Sequence, residues 1–235
     1  MPFRNSVSIV ASPRSRVGKT LLARLLVDFH REQGRAVEAF DVNACGALAE
    51  FVPALTTVSQ IGNTKGQMAL FDRLIADDGA TKIVDLGHES FAAFFALAEQ
   101  IGFAEEAARR GIACAVLFII TPDATSVESF RSLRGRFSDA VLAPVHNEIF
   151  GAAPHSVKYE SDGTLLARLP LLASGLHRYI EGPPSSFSKE ELAAAAPPAA
   201  YDALQQWLRR TYREFRKLDL HILLADLQSA IRLEL

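Results

Sequence analysis

The sequence predicts an α/β protein in which a mostly parallel, twisted sheet is flanked by helices on both faces, with further helices at the C-terminus. Short apolar runs rich in Val and Ile recur along the chain, and segments with apolar residues three and four positions apart lie between them. Strands that alternate with helices pair in parallel, because each helix carries the chain back to the same end of the sheet. Gly34 and Gly111 stand between a helical segment and a strand, where a left-handed residue commonly closes a helix.

The individual elements follow from the same patterns. Strands are predicted at residues 7–10, 36–40, 82–86, 113–120 and 140–143, and helices at residues 21–33, 66–76, 90–110 and 126–137. The runs at 83–86 and 116–120 lack polar alternation, which is typical of central strands buried on both faces.

The pattern changes after residue 147. Residues 157–159 and 165–169 predict a hairpin around the turn at 161–164. Pro197 and Pro198 mark a junction, and residues 201–235 predict an amphipathic helix. We therefore expect a principal domain at residues 1–185 and a helical segment at residues 186–235 packed on it.

Composition narrows the class of protein. A net charge of −2 gives no global electrostatic reason to bind nucleic acid or membrane. Cys45 and Cys114 are far apart and lack the spacing of a metal site, so both are predicted to be small apolar core residues. No apolar stretch approaches the roughly 20 residues that span a bilayer, and residues 1–5 lack the features of a secretory signal, so a cytoplasmic location is expected.

Residues 11–20, ASPRSRVGKT, have the order of a phosphate-binding loop. Such a loop needs a strand, a turn whose backbone N–H groups point inward, and a helix whose N-terminus faces the anion. Lys19 is placed to reach terminal phosphates, the Thr20 hydroxyl to bind Mg²⁺, and Gly18 to let the backbone approach the ligand closely. Pro13 stands where G-x-x-x-x-G-K-[ST] has its first glycine, and a chance Gly-Lys-Thr at a helix start is the alternative.

Several further motifs follow the loop along the sequence. The second strand is followed by Asp41 and Asn43, residues 83–87 form an apolar strand containing Asp85, and residues 121–126 read TPDATS. Asn147 and the apolar-Pro step at residues 169–171 come next. Together with the loop, these segments resemble the ParA/MinD family of P-loop ATPases, whose loop normally reads Lys-Gly-Gly-x-Gly-Lys-[Ser/Thr]. The resemblance covers residues 6–180.

The resemblance implies an ATP site with Mg²⁺ in a P-loop nucleotide-binding domain. It places Ser15, Arg16, Val17, Gly18, Lys19 and Thr20 around the phosphates, Asn147 at the base, Thr20, Asp85 and Asp41 at the metal, and Lys19, Asp41, Asn43 and Arg14 in catalysis. It also implies a homodimer, because the family's signature lysine, here Arg14, reaches the partner's nucleotide. Arg14 or Arg16 could act in this way, or both could be solvated loop charges.

One departure from the family's pattern leaves the activity open. Asn43 replaces the family's second acid, and an amide positions water but cannot accept its proton. The favoured hypothesis is a weak ATPase that switches dimerisation or binding of a protein partner with nucleotide. A pseudo-ATPase interaction module is one alternative, and a small-molecule kinase or synthetase is another. Residues 208–217 are basic and partly aromatic, so DNA or a membrane surface is conceivable, but an amphipathic helix docked on the domain explains them equally well.

Overall fold

The computed structural model describes residues 5–44, 46–151, 159, 165–183 and 186–233, the last from residue 226 onward as backbone only. Its strands are β1 Ser6–Ala11, β2 Val37–Val42, β3 Thr56–Val58, β4 Thr81–Leu86, β5 Ala113–Ile120, β6 Val141–Asn147 and β7 Ala167–Leu169. Its helices are α1 Lys19–Glu32, α2 Ala47–Phe51, α3 Thr64–Leu74, α4 Phe91–Gln100, α5 Phe103–Arg109, α6 Ala124–Arg136, α7 Lys189–Ala195 and α8 Pro198–Leu233. Two short 3-10 turns, Glu148–Phe150 and Ser174–Tyr179, follow β6 and β7.

The strands form one parallel sheet in the order β3-β2-β4-β1-β5-β6-β7. The chain leaves the central strand β1 toward β2 and β3, returns through β4 beside β1, and then builds β5, β6 and β7 on the other side. Ligands of open α/β sheets bind at the carboxyl ends of the strands where the order reverses in this way. The loop that follows β1 lies at this position.

Two hydrophobic cores cover the two faces of the sheet, because successive residues of each strand point to opposite faces. Ile83 belongs to the core that contains α1, α7 and α8, whereas the next residue, Val84, belongs to the core beneath α3, α4, α5 and α6. The predicted α/β class, with helices on both faces and at the C-terminus, is confirmed.

Four features differ from the sequence prediction. The helix predicted at residues 90–110 is two helices, α4 and α5, because Gly102 adopts a φ of 63° between them. The short strand β3 and helix α2 were not predicted. The second arm of the predicted hairpin forms β7, which pairs in parallel with β6, while residues 157–158 and 160–164 lie outside the described residues.

The cysteine predictions have different outcomes. Cys114 is a buried free thiol in the core beneath α4 to α6, and burial raises the pKa of this thiol to about 12. It therefore behaves as the small apolar residue that was predicted. Cys45 lies outside the described residues.

Helix α8 is anchored to the rest of the chain at Trp207 and Asp219. Pro198 opens the helix, where its missing N–H costs no helical hydrogen bond. Trp207 Nε1 donates to the Pro170 carbonyl at 2.8 Å, and Arg35 binds Asp219 at 2.8 Å. No helix in the described part of the chain combines the length and apolarity needed to cross a bilayer.

Phe215 supplies a test of this anchoring. It is 3% exposed and its ring lies 5.4 Å from that of Phe29 on α1. Phe215→Ala is expected to lower the free energy of unfolding in urea by about 3 to 5 kcal/mol, because it removes a buried ring and leaves a cavity. Leu220 on the same helix is 56% exposed, so Leu220→Ala should change stability by less than about 0.5 kcal/mol. Equal losses for the two variants would contradict the packing described.

Candidate nucleotide site

The loop between β1 and α1 is shaped by two left-handed residues. Gly18, directly before α1, has a φ of 94°, and Arg16 has a φ of 56°. A Cβ on Gly18 would lie 2.7 Å from Asn147 Nδ2, so a larger residue would have to displace the Asn147 side chain at the end of β6. Val17 is buried in the core beside α1. Contacts at Val17 and Gly18 therefore fix the position of the loop, while Arg14, Ser15 and Arg16 are exposed.

The start of α1 offers positive electrostatic potential to this loop. The first intrahelical bond of this turn runs from Leu22 N to Gly18 O at 2.9 Å, so the N–H groups of residues 19–21 lack intrahelical acceptors. The first turn carries no acidic side chain. These uncapped N–H groups and the helix dipole favour an anion at this end of a 14-residue helix.

Lys19 folds back over the loop. Its Nζ donates to the Arg14 carbonyl at 2.6 Å, and the residue is 7% exposed. Burial lowers the pKa of Lys19, while the charges of Asp85 and Glu89 act in the opposite direction. A buried ammonium held by one carbonyl has further donors to offer, which is the chemistry a phosphate group requires.

Thr20 and Asp85 form the centre of the predicted metal site. Thr20 Oγ1 donates to Asp85 Oδ2 at 2.7 Å. Asp85 is fully buried, and its second oxygen, Oδ1, has no hydrogen-bond partner among the described residues. Burial raises the pKa of Asp85 to about 6, and the nearby charge of Asp41 adds to this rise. An orphaned carboxylate oxygen beside a hydroxyl is the kind of donor set that Mg²⁺ takes from a P-loop protein.

Asp41 lies beside Asp85 in the register of β2 and β4, but its carboxylate already accepts four hydrogen bonds. Its Oδ1 accepts from the backbone and side-chain N–H groups of Asn43, and its Oδ2 accepts from the backbone N–H groups of Leu48 and Ala49. Asp41 thus fixes the start of α2. A metal or catalytic role for Asp41 stays a prediction, and it would require the exchange of one of these bonds.

The Asn43 amide bridges two strand ends. Its Nδ2 donates to Asp41 Oδ1 at 2.8 Å and to the Asp85 carbonyl at 3.2 Å. Gly87 follows β4, and a Cβ there would lie 3.1 Å from Asn43 Oδ1. Asn43 therefore lies close to the predicted metal site, and its catalytic role stays a prediction.

Asn147 contacts the loop rather than projecting away from it. Its Nδ2 donates to the Val17 carbonyl at 3.0 Å, and its Oδ1 accepts from Ile149 N at 3.2 Å. Both polar groups of the amide thus have protein partners. The predicted contact with a base stays a prediction.

The exposed arginines of the loop differ in their partners. Arg14 reaches Asp123 at the start of α6, with its Nε at 3.1 Å and a terminal nitrogen at 2.5 Å from Oδ1. Arg16 has no hydrogen-bond or ion-pair partner in the described part of the chain. Asp123 was not predicted as a site residue, although an Asp directly before a helix is a capping signal.

The described residues contain no group of three or more His, Cys, Asp or Glu side chains placed to hold a metal by themselves. This is compatible with Mg²⁺, which protein commonly binds through one or two carboxylates together with phosphate oxygens. A separate cleft of about 520 Å³ lies at the far end of α1, between α1 and α8, and is lined by charges of both signs. It contains none of the predicted site residues.

The buried charge of Asp85 predicts a specific pH dependence. An Asp pKa raised from 3.8 to about 6 makes the folded state lose stability as pH rises between these values, because the unfolded chain releases its proton first. Without nucleotide or Mg²⁺, Asp85→Asn should therefore raise the free energy of unfolding by about 2 to 3 kcal/mol at pH 7.5 and by far less at pH 4. Urea unfolding at both pH values measures this. Asp72→Asn, at an exposed position of α3, is the control, and an equal gain at both pH values would contradict the burial of an ionised Asp85.

Comparisons with known proteins give structural similarity only. No protein-family model and no curated protein sequence matches the chain. Solved structures similar to it include a chain of the MinC:MinD cell division protein complex of Aquifex aeolicus, at 13% identity over 87% of this chain and 94% of that chain, with a TM-score of 0.49. Others are the septum site-determining protein MinD with Mg-ADP from Pyrococcus horikoshii (13% identity, 92% and 97% covered, TM-score 0.48) and a nucleotide-binding protein with ADP from Archaeoglobus fulgidus (13%, 88% and 87%, TM-score 0.46). Each of these structures aligns with most of this chain.

Proposed function

We propose that the chain binds ATP with Mg²⁺ at the loop of residues 12–20 and acts as a nucleotide-dependent switch. The observation that carries this proposal is the pair Thr20 and Asp85, in which a fully buried carboxylate keeps one oxygen without a partner beside the start of α1. A buried ionised oxygen is costly unless a cation or donor compensates it. Mg²⁺ at this position, next to phosphates bound by Lys19, supplies that compensation.

Each part of the site has a defined task in this proposal. The backbone of residues 15–20 and the helix N-terminus hold the phosphate oxygens, and Lys19 exchanges the Arg14 carbonyl for a phosphate oxygen. Thr20 and Asp85 hold Mg²⁺, which neutralises charge on the phosphates when bound. The similar MinD structure from Pyrococcus horikoshii is described as a complex with Mg-ADP, which supports this choice of ligand.

We further propose that any hydrolysis is slow. The position that would activate water holds Asn43, which cannot accept a proton, and the nearest alternative, Asp41, already accepts four hydrogen bonds. The same two observations favour the second candidate function, a pseudo-ATPase that binds nucleotide and recruits a partner without turnover. A homodimer or another protein is the partner that we propose in either case, and no described feature favours DNA or a membrane.

Titration calorimetry with ATP and Mg²⁺ tests nucleotide binding. Lys19→Ala is expected to weaken ATP binding by at least about tenfold, because it removes a charge-assisted hydrogen bond to phosphate. Lys65→Ala removes an exposed lysine from the first turn of α3 and should leave affinity unchanged. Asp85→Asn should bind ATP with little dependence on Mg²⁺. Wild-type affinity in Lys19→Ala would overturn the assignment of the site.

Single-turnover phosphate release separates a slow ATPase from a pseudo-ATPase. Release by the wild type above the rate of Lys19→Ala would establish turnover. Equal rates, in proteins that differ in ATP affinity, would leave the interaction module as the function.

A further inference from the structure

The loop after β4 carries a histidine and a glutamate that the proposed phosphate and metal sites do not use. His88 and Glu89 follow Gly87 directly, and Asp85, whose second oxygen has no partner among the described residues, precedes them on β4. His88 Nδ1 lies 2.6 Å from Glu89 Oε2, and about half of each side chain is exposed. The pair therefore lies at the carboxyl edge of the sheet and is open to solvent there.

Glu89 connects this loop with the loop after β2. Its Oε1 accepts from Ala44 N at 3.4 Å, and Ala44 directly follows Asn43. The Glu89 charge is also close enough to Lys19 to raise the pKa of that ammonium, against the larger and opposite effect of burial. Glu89 therefore holds His88 near Asn43 and near the cation that we assign to the phosphates.

The contact with Glu89 sets the chemistry of the imidazole. Backbone hydrogen bonds, from its own N–H and from Ala44 N, lower the pKa of Glu89, so it remains a carboxylate. A carboxylate oxygen beside Nδ1 favours the proton on that nitrogen, so Nε2 of the neutral His88 ring carries the lone pair. Nε2 has no hydrogen-bond partner in the parts of the chain that the structure describes. His88 thus has a free basic nitrogen and a carboxylate that orients its ring, as a general base requires.

We propose that His88 is the general base of ATP hydrolysis at the proposed site and that Glu89 is its positioning residue. This inference rests on the proposed function. The oxygen of a water molecule forms a bond to the γ-phosphorus, and the bond from that phosphorus to the β–γ bridging oxygen breaks. The bridging oxygen leaves on ADP with the electron pair, and His88 Nε2 takes the proton that the water loses and later releases it to solvent.

The base that the Asn43 amide cannot supply thus comes from the next strand of the sheet, because β4 lies beside β2. A half-exposed base is positioned less precisely than a buried one, so turnover remains slow.

Single-turnover hydrolysis at saturating Mg-ATP tests the role of His88. We expect His88→Gln to release phosphate at least about tenfold more slowly than the wild type, because general-base catalysis supplies at least this much. Its ATP affinity by calorimetry should stay within about twofold of the wild type, because a neutral side chain replaces another and no phosphate contact is lost. His221→Gln, at a partly exposed position of α8, is the control and should keep the wild-type rate.

Added imidazole separates a base from a structural residue. His88→Ala is expected to regain part of its rate in imidazole buffer, because free imidazole can take the proton of the water in the space that the side chain leaves. Lys19→Ala, which loses a phosphate contact instead, should gain nothing. An unchanged rate in His88→Gln, or the absence of rescue in His88→Ala, would overturn the proposal.

A measurement without nucleotide tests the role of Glu89. Nitrogen NMR of the neutral His88 imidazole should show the proton on Nδ1 in the wild type and a larger share of the Nε2–H form in Glu89→Gln. Glu105→Gln, at an exposed position of α5, should leave the tautomer unchanged. The same tautomer in the wild type and in Glu89→Gln would overturn the positioning role. A wild type that binds no ATP would refute the proposed function, whereas binding without hydrolysis would refute this inference alone.

Discussion

The burial of a carboxylate at the centre of the sheet is the constraint on which the rest of the site depends. Asp85 ends up between β2 and β1 because β4 is inserted between them, and the register places Asp41 and Val10 beside it. Because it is fully buried, this carboxylate needs compensation from its surroundings. Thr20 supplies one hydrogen bond, Lys19 supplies a nearby positive charge, and the remaining oxygen has no hydrogen-bond partner among the described residues.

The strand prediction was correct for the strands that helices cover on both faces of the sheet. Strands β1, β2, β4, β5 and β6 are long, apolar and central, so their sequence alone carries a strong signal. β3 is three residues at the edge of the sheet, with sequence Thr-Thr-Val, and only its pairing with β2 makes it a strand. The break between α4 and α5 was missed because apolar spacing continues across Gly102, whose left-handed conformation leaves no trace in the periodicity.

The features of the candidate site also divide into those that the sequence predicts and those that it does not. Lys19 and Thr20 open the helix that follows β1, and Asp85 lies near the carboxyl end of β4. Parallel topology therefore brings these residues to one edge of the sheet. The partner of Arg14 is 109 residues away and depends on how the turn after β5 is folded. Likewise, the four bonds to Asp41 depend on α2, a five-residue helix without a sequence signal. Long-range side-chain pairing is the part that local patterns do not encode.

Pro13, Ser15 and Arg16 stand where related loops have glycines, and two of these replacements change the backbone of the loop. Arg16 adopts a left-handed conformation that costs a non-glycine residue roughly 1 kcal/mol, and Pro13 removes an N–H that could have bound phosphate. A loop with fewer intrinsic donors and a strained residue needs external support to keep one shape. The hydrophobic core provides this support by enclosing the Val17 side chain. Asn147 on β6 binds the Val17 carbonyl, and Asp123 before α6 binds Arg14.

The same contacts limit what a nucleotide bound at the proposed site could change. A ligand shifts a conformational equilibrium only through interactions that differ between the two states. The end of β4 is joined to the end of β2 through the bond from Gly87 N to the Val42 carbonyl and through Asn43, and Asp41 joins β2 to the start of α2. A phosphate group that moved Asn43 or Gly87 would therefore change the contacts of α2 as well. In the proposed switch, α2, most of whose residues are partly or fully exposed, would thus respond to the ligand through Asn43 and Asp41.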